Sequence, residues 1–146
     1  MTSIEFLTGV RDKLSFTCLM LRKAVSLRAQ VAVLVTDEAE LMRLDEKLWT
    51  FSDQDFVPHV RADDPLAAST PVILTANAEA ALPHHEVLLN IGQVLPAHFA
   101  RFERLIEIVS SDADEVAAGR KRYRHYHERG YPMTHKDRSA NEQLIP

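Results

Sequence analysis

A chain of 146 residues is long enough for one domain with a real hydrophobic core and too short for two ordinary ones. Its 46% apolar and 26% charged residues are those of a soluble globular protein, no apolar run nears the roughly 20 residues that span a bilayer, and the opening Met1-Thr2-Ser3-Ile4-Glu5 lacks the basic and apolar blocks of a secretory signal, so the cytoplasm is the expected location. The lone cysteine, Cys18, cannot close a disulfide within the chain, and a net charge of −4 disfavours general attraction to nucleic acid phosphates.

Ile4 to Leu7 reads as a strand. From Arg11 to Arg28, Leu14, Cys18, Leu21 and Val25 recur at i, i+4, i+7 and i+11, the stripe of a helix with one buried face. The unbroken, β-branched run Val31-Ala32-Val33-Leu34-Val35 fits a strand covered on both faces. Thr36 is the expected N-cap of a second helix, with Asp37 and Glu38 in the first turn and Leu41, Leu44 and Leu48 on its inner side. Ser52 to Thr70, with Pro58, Pro65 and Asp63-Asp64, reads as a loop. Pro71 to Leu74 and Glu86 to Ile91 are two further strands, Ala97 to Arg104 a short helix, and Arg104 to Val109 a fifth strand. A last helix runs from Asp112 to about Arg129, acids at its start and bases at its end as the macrodipole favours, and Gly130 and Pro132 stop it. The expected organisation is a single α/β domain over residues 1–132 and a flexible polar tail over 133–146.

Strand–helix alternation predicts a three-layer helix–sheet–helix sandwich on a mostly parallel or mixed sheet, Rossmann-like in its layers but without a nucleotide loop. Phosphate-cradling loops need closely spaced glycines, and the four here (Gly9, Gly92, Gly119 and Gly130) are far apart. No cofactor or metal is expected. His125 and His127 stand two apart on a helix and point to different sides, while His84 and His85 follow Pro83 in a loop that should be solvated. Cys18 lies on an apolar stripe and reads as a buried structural thiol, and no set of catalytic residues is visible.

Charge is uneven. Between Gly119 and Tyr131, Arg120, Lys121, Arg122, Arg124 and Arg129 face one acid, Glu128, a local balance of +4. On a helix Arg120, Tyr123, Arg124 and His127 fall at i, i+3, i+4 and i+7 and share a face, with Val116 one turn before Arg120. A tyrosine between guanidiniums beside an apolar residue suits a ligand both acidic and apolar. The same pattern fits bases answering a helix C-terminus while a tyrosine covers the sheet.

Two stretches bear a more specific likeness. Leu44-Asp45-Glu46-Lys47-Leu48-Trp49, followed after six intervening residues by Phe56-Val57-Pro58-His59, and Arg120-Lys121-Arg122-Tyr123-Arg124-His125-Tyr126 running to Gly130-Tyr131, resemble the chi subunit of bacterial DNA polymerase III. The order of elements between them fits too, so the resemblance covers nearly the whole chain. It implies an accessory subunit without catalysis of its own that links the replicase to single-stranded DNA-binding protein, gripping that partner's acidic C-terminal tail, which ends in an apolar–aromatic dipeptide. Carried over by position, Arg120, Tyr123 and Arg124 would form the tail site, with Val109 lining its apolar side. Val116 stands where a further base is expected, and Arg124 where a lysine can occur. Trp49 and Phe56 match aromatic residues that contact the psi subunit, the link to the clamp loader, although an aromatic pair beside a loop can equally close a core. DNA would be met only indirectly and no membrane is implied. Two other readings stay open: direct binding of single-stranded nucleic acid through the basic helix, and a small-molecule enzyme on a nucleotide-binding-like fold.

Overall fold

The computed structural model describes residues 1–139. Ten principal elements follow in order: β1 (Ser3–Val10), α1 (Lys13–Ser26), β2 (Val31–Leu34), α2 (Glu38–Thr50), β3 (His59–Arg61), β4 (Val72–Thr75), β5 (Val87–Asn90), β6 (Arg104–Ser110), α3 (Ala113–Glu128) and β7 (Met133–Asp137). The strands make one sheet in the order β3-β4-β2-β5-β6-β1-β7, and every pairing is parallel.

The central strands β2, β4 and β5 are buried residue by residue, which is why they read as unbroken apolar runs instead of alternating ones. Phe16, Cys18 and Leu21 of α1 and Leu41, Leu44 and Leu48 of α2 pack on one sheet face with Leu7, Val33, Leu74, Leu89 and Ile106. On the other face Tyr126 of α3 joins Ile4, Phe6, Ala32, Ile73, Leu88, Leu105 and Val109, together with Phe99 and Phe102. The expected three layers are present. Among the described residues no helix is long and apolar enough to cross a membrane.

Local departures from expectation have physical causes. Asp37, not Thr36, caps α2: its carboxylate accepts from the Glu40 amide, and Glu40 Oε1 in turn accepts from the Thr36 amide, so the reciprocal acid pair outcompetes the hydroxyl. The expected loop from Ser52 to Thr70 contains β3, since His59–Arg61 finds a free edge on β4, and a single 3-10 turn at Ala67–Ser69. The expected helix over 97–104 shrinks to a 3-10 turn, Phe99–Arg101, because Phe99 and Phe102 both turn inward to the core. The largest difference is at the end. Met133–Asp137, expected to be tail, pairs in parallel with Ile4–Thr8 of β1, and its ladder bonds outweigh its polar composition. Residues 140–146, the second half of that expected tail, lie outside the described residues. His84 is buried instead of solvated, and burial holds its imidazole below the usual range. His85 packs edge-on against Phe102.

One polar cluster pins α3 to the sheet. Glu107, in the middle of β6 and fully buried, accepts from Arg122 Nε at 3.0 Å, from the Tyr126 hydroxyl at 2.7 Å and from Asn90 Nδ2 at 3.1 Å. Arg122 also donates to the Gln93 carbonyl and Asn90 to that of Val94, which fixes the loop after β5. Burial raises the Glu107 carboxyl above its ordinary range, against the opposing pull of Arg122, Tyr126 and Asn90, and it drives the Tyr126 phenol far upward. Removing one partner strands a buried charge. Glu107→Ala or Arg122→Ala should each cost about 3–5 kcal/mol of unfolding free energy in urea titrations, and joint replacement by leucine and methionine should cost clearly less than the sum of the two.

Cys18 has no exposed surface, and burial pushes its thiol up to about 11 from 9.0. At pH 8 the thiolate fraction falls about 100-fold, so the native chain should react with a disulfide reagent at least that much more slowly than the chain unfolded in guanidinium.

Candidate functional site

The surface that carries the candidate residues of the last helix is built by α3, the ends of β1 and β6, and β7. Asp112 starts α3 by accepting from the Asp114 and Glu115 amides. Gly119 lets the helix come close to β6: a Cβ there would stand 3.0 Å from a methyl of Val109. Gly119, Arg122 and Tyr126 are the buried residues of the helix, at i, i+3 and i+7, so the stripe beside them carries Val116, Arg120 and Tyr123.

That stripe lines a hollow of about 480 Å³ whose apolar floor is Phe6, Val109 and Val116. Tyr123 stands in its wall, 38% exposed and edge-on to Phe6 with centroids 5.2 Å apart. Arg120 lies at the rim, exposed, with no ion pair among the described residues. Arg124 and His127 are exposed on the same helix but do not line the hollow, and His127 stacks on the Tyr123 ring at 6.2 Å. Four of the six candidate residues therefore converge: Val109, Val116, Arg120 and Tyr123. Arg122, counted within the basic run, turns inward to Glu107, so the exposed positive charge is smaller than the sequence implies.

The opposite wall comes from the element read as tail. His135, Asp137 and Ser139 line the hollow, with Thr8 and Gly9 of β1. The Thr8 hydroxyl and His135 Nε2 are hydrogen-bonded at 2.7 Å. Gly9 has φ +69°, and a Cβ there would meet Asp137 Oδ1 at 2.7 Å, so the close approach of β7 depends on this glycine. The Ser139 amide and hydroxyl hold the Asp137 carboxyl below its usual range, leaving one anion on the wall facing Arg120. No sequence signal marked these residues, because a polar pentapeptide after a helix stop carries no strand pattern.

Trp49 and Phe56 form a second feature, on α2 and the loop after it. Both are exposed, at 58% and 60%, with rings 5.4 Å apart, so they do not close the core. His59 packs 5.1 Å beneath Trp49, bonded through Nδ1 to the Val57 carbonyl and through Nε2 to Asp45. The four residues come from the two halves of the Leu-Asp-Glu-Lys-Leu-Trp and Phe-Val-Pro-His stretches.

The C-terminal edge of the sheet, where open parallel sheets commonly bind ligands, is differently furnished. Lys13 Nζ, largely buried, bonds the Ile91 carbonyl at 2.8 Å and pairs with Glu40 and Glu115, each at 3.2 Å. The hollow above them, of about 390 Å³, is lined by Asp37, Glu40, Asp112, Asp114 and Glu115 against Lys13 and Arg43. Such a surface repels phosphate, and the ammonium that could have met an anion is held by the chain's own carboxylates.

Comparison with known proteins finds relatives along most of the chain. The profile of the family described as DNA polymerase III chi subunit, HolC, matches residues 1–134. The DNA polymerase III subunit chi of Pseudomonas aeruginosa is 32% identical over 121 residues, 83% of each chain. The Haemophilus influenzae subunit chi is 25% identical over 105 residues (72% of this chain, 73% of the relative), and that of Escherichia coli 24% over 104 (71% of each). With nearly its whole described length matched and a relative above 30% identity, this chain belongs to the DNA polymerase III chi subunit family, accessory subunits of the replicase.

Proposed function

We propose that this chain is an adaptor without catalysis of its own, working in the cytoplasm, that joins the polymerase III holoenzyme to single-stranded DNA-binding protein. The hollow between α3 and β7 grips that protein's acidic C-terminal tail, and the Trp49–Phe56 surface holds psi or an equivalent link to the clamp loader. The observation that carries the first half is a guanidinium with no ion pair among the described residues, Arg120, beside a half-exposed tyrosine over an apolar floor. A terminal carboxylate and neighbouring acids answer Arg120, with Arg124 adding longer-range attraction, while the terminal ring packs on Phe6, Val109 and Val116 against Tyr123. Val116 supplies apolar area where the family resemblance led to a base, which shifts the balance from charge toward packing. Asp137 restricts where acids can sit, keeping them on the helix side.

Isothermal titration with an acidic, phenylalanine-ended peptide should give a Kd on the order of micromolar that weakens as salt rises. Arg120→Ala and Tyr123→Ala should each weaken binding about tenfold or more with unfolding unchanged, since both side chains are exposed. Removing the terminal phenylalanine should be at least as costly. Undiminished binding in both variants, or tighter binding of a single-stranded oligonucleotide than of the peptide, would reject the site.

The aromatic surface makes a separate prediction. Trp49 is the only tryptophan, so its emission should shift to the blue when psi binds. Trp49→Ala should weaken that complex roughly 30-fold, about 2 kcal/mol, while unfolding changes by less than about 0.5 kcal/mol. Loss of stability equal to the loss of binding would make the pair a packing element instead.

A further inference from the structure

On the opposite face of the same strands lies another hollow, of about 470 Å³. Leu7, Leu89 and Ile106 make its floor, Phe16 and Ala24 of α1 its wall, and Leu27, 70% exposed, stands at its mouth. Its charged lining is one-sided: Lys23, Arg104, Lys136 and Arg138 against the single acid Glu5. Glu5 is already shared between Arg104 at 3.9 Å and Lys136 at 3.5 Å. Lys23 and Arg138 have no acid partner among the described residues. The Arg138 guanidinium lies 5.7 Å over the Phe16 ring, and its Nε is buried without a hydrogen-bond partner among the described residues.

From this charge complementarity we infer that the α1-side hollow binds a second acidic peptide, an extended segment of a partner protein carrying aliphatic side chains. The volume is that of a small-ligand or side-chain pocket, the floor is aliphatic and offers no aromatic platform for bases, and the rim is cationic. An extended peptide is favoured over a compact ligand because β7 is the last strand of the sheet and places Lys136, and Arg138 just after its end, along the rim. Its outer main-chain groups can pair with an added strand, whose alternate residues then face the hollow. The inference is independent of the α3 reading, since the two hollows lie on opposite faces of β1 and β7.

The test is an amide NMR titration of the full chain with the probe Leu-Ser-Asp-Ser-Leu-Ser-Asp-Ser, which as a strand places leucines and aspartates on one face. Amides of Met20, Leu27, Lys136 and Arg138 should move, with a Kd below about a millimolar. The doubly substituted K136Q/R138Q chain should bind about tenfold more weakly, as should the peptide with asparagine for aspartate. Movement confined to Gly119–Tyr123, no movement at millimolar probe, or unchanged affinity in a folded K136Q/R138Q chain overturns the inference. So does movement of the same amides without probe, either on deleting residues 140–146 or on raising protein concentration, outcomes that would give the hollow to the chain's own terminus or to a second copy.

Discussion

The buried contact between Glu107 and Arg122 decides where everything on the helix side of the molecule sits. A carboxylate in the middle of a covered strand has no access to water, and its position is tenable only because a guanidinium, a phenol and an amide converge on it. Two of those three donors, Arg122 and Tyr126, belong to α3 at i and i+4, so satisfying Glu107 fixes both the rotation and the height of that helix. With the inner stripe fixed, Arg120 and Tyr123 are carried to the side facing β1 and β7, and Lys121 is carried away into solvent. The orientation of the candidate peptide site follows from a polar group that takes no part in binding.

The second determinant is the strand that closes the sheet. Without Met133–Asp137, β1 would be the edge and the floor of Phe6, Val109 and Val116 would be an open apolar shelf with a single wall. The strand is polar on both faces, with only Met133 partly buried, so its place depends on main-chain pairing with β1 and on the bulge around Gly9 that admits Asp137 and Ser139. Its alternation is then used twice. His135 and Asp137 face the α3 hollow, while Lys136 and Arg138 face the α1 hollow.

What sequence reading recovers here divides along those lines. The buried strands and three helices declare themselves through apolar runs and spacing, because burial on two faces and burial on one stripe leave different periods. Val109, Val116, Arg120 and Tyr123 were legible as one cluster from helical spacing together with family likeness. Arg124 and His127 share the spacing yet miss the hollow, since a stripe of seven residues is longer than the depression it borders. Arg122 was counted as surface charge, and the clue against it lay elsewhere: Glu107 inside Leu-Ile-Glu-Ile-Val is an acid that a buried strand tolerates only with a cation opposite. The β7 wall was illegible because a strand held by pairing alone has no hydrophobic signature. The exposure of Trp49 and Phe56 was equally beyond composition, which cannot tell an aromatic pair under a loop from one above it.

Charge is unevenly placed over a chain of net −4. Acids gather at the helix N-termini along the C-terminal edge of the sheet, where five line one hollow and two of them, Glu40 and Glu115, pair with Lys13. Bases without an acid partner among the described residues include Arg120 on α3 and Lys23 and Arg138 around the α1-side hollow. At physiological salt the screening length is about 8 Å, so the charges immediately around a hollow outweigh the net charge of the chain there. Net charge therefore sets solubility, while local separation sets recognition. The same separation leaves the sheet edge that open α/β proteins offer to phosphates lined mainly by carboxylates.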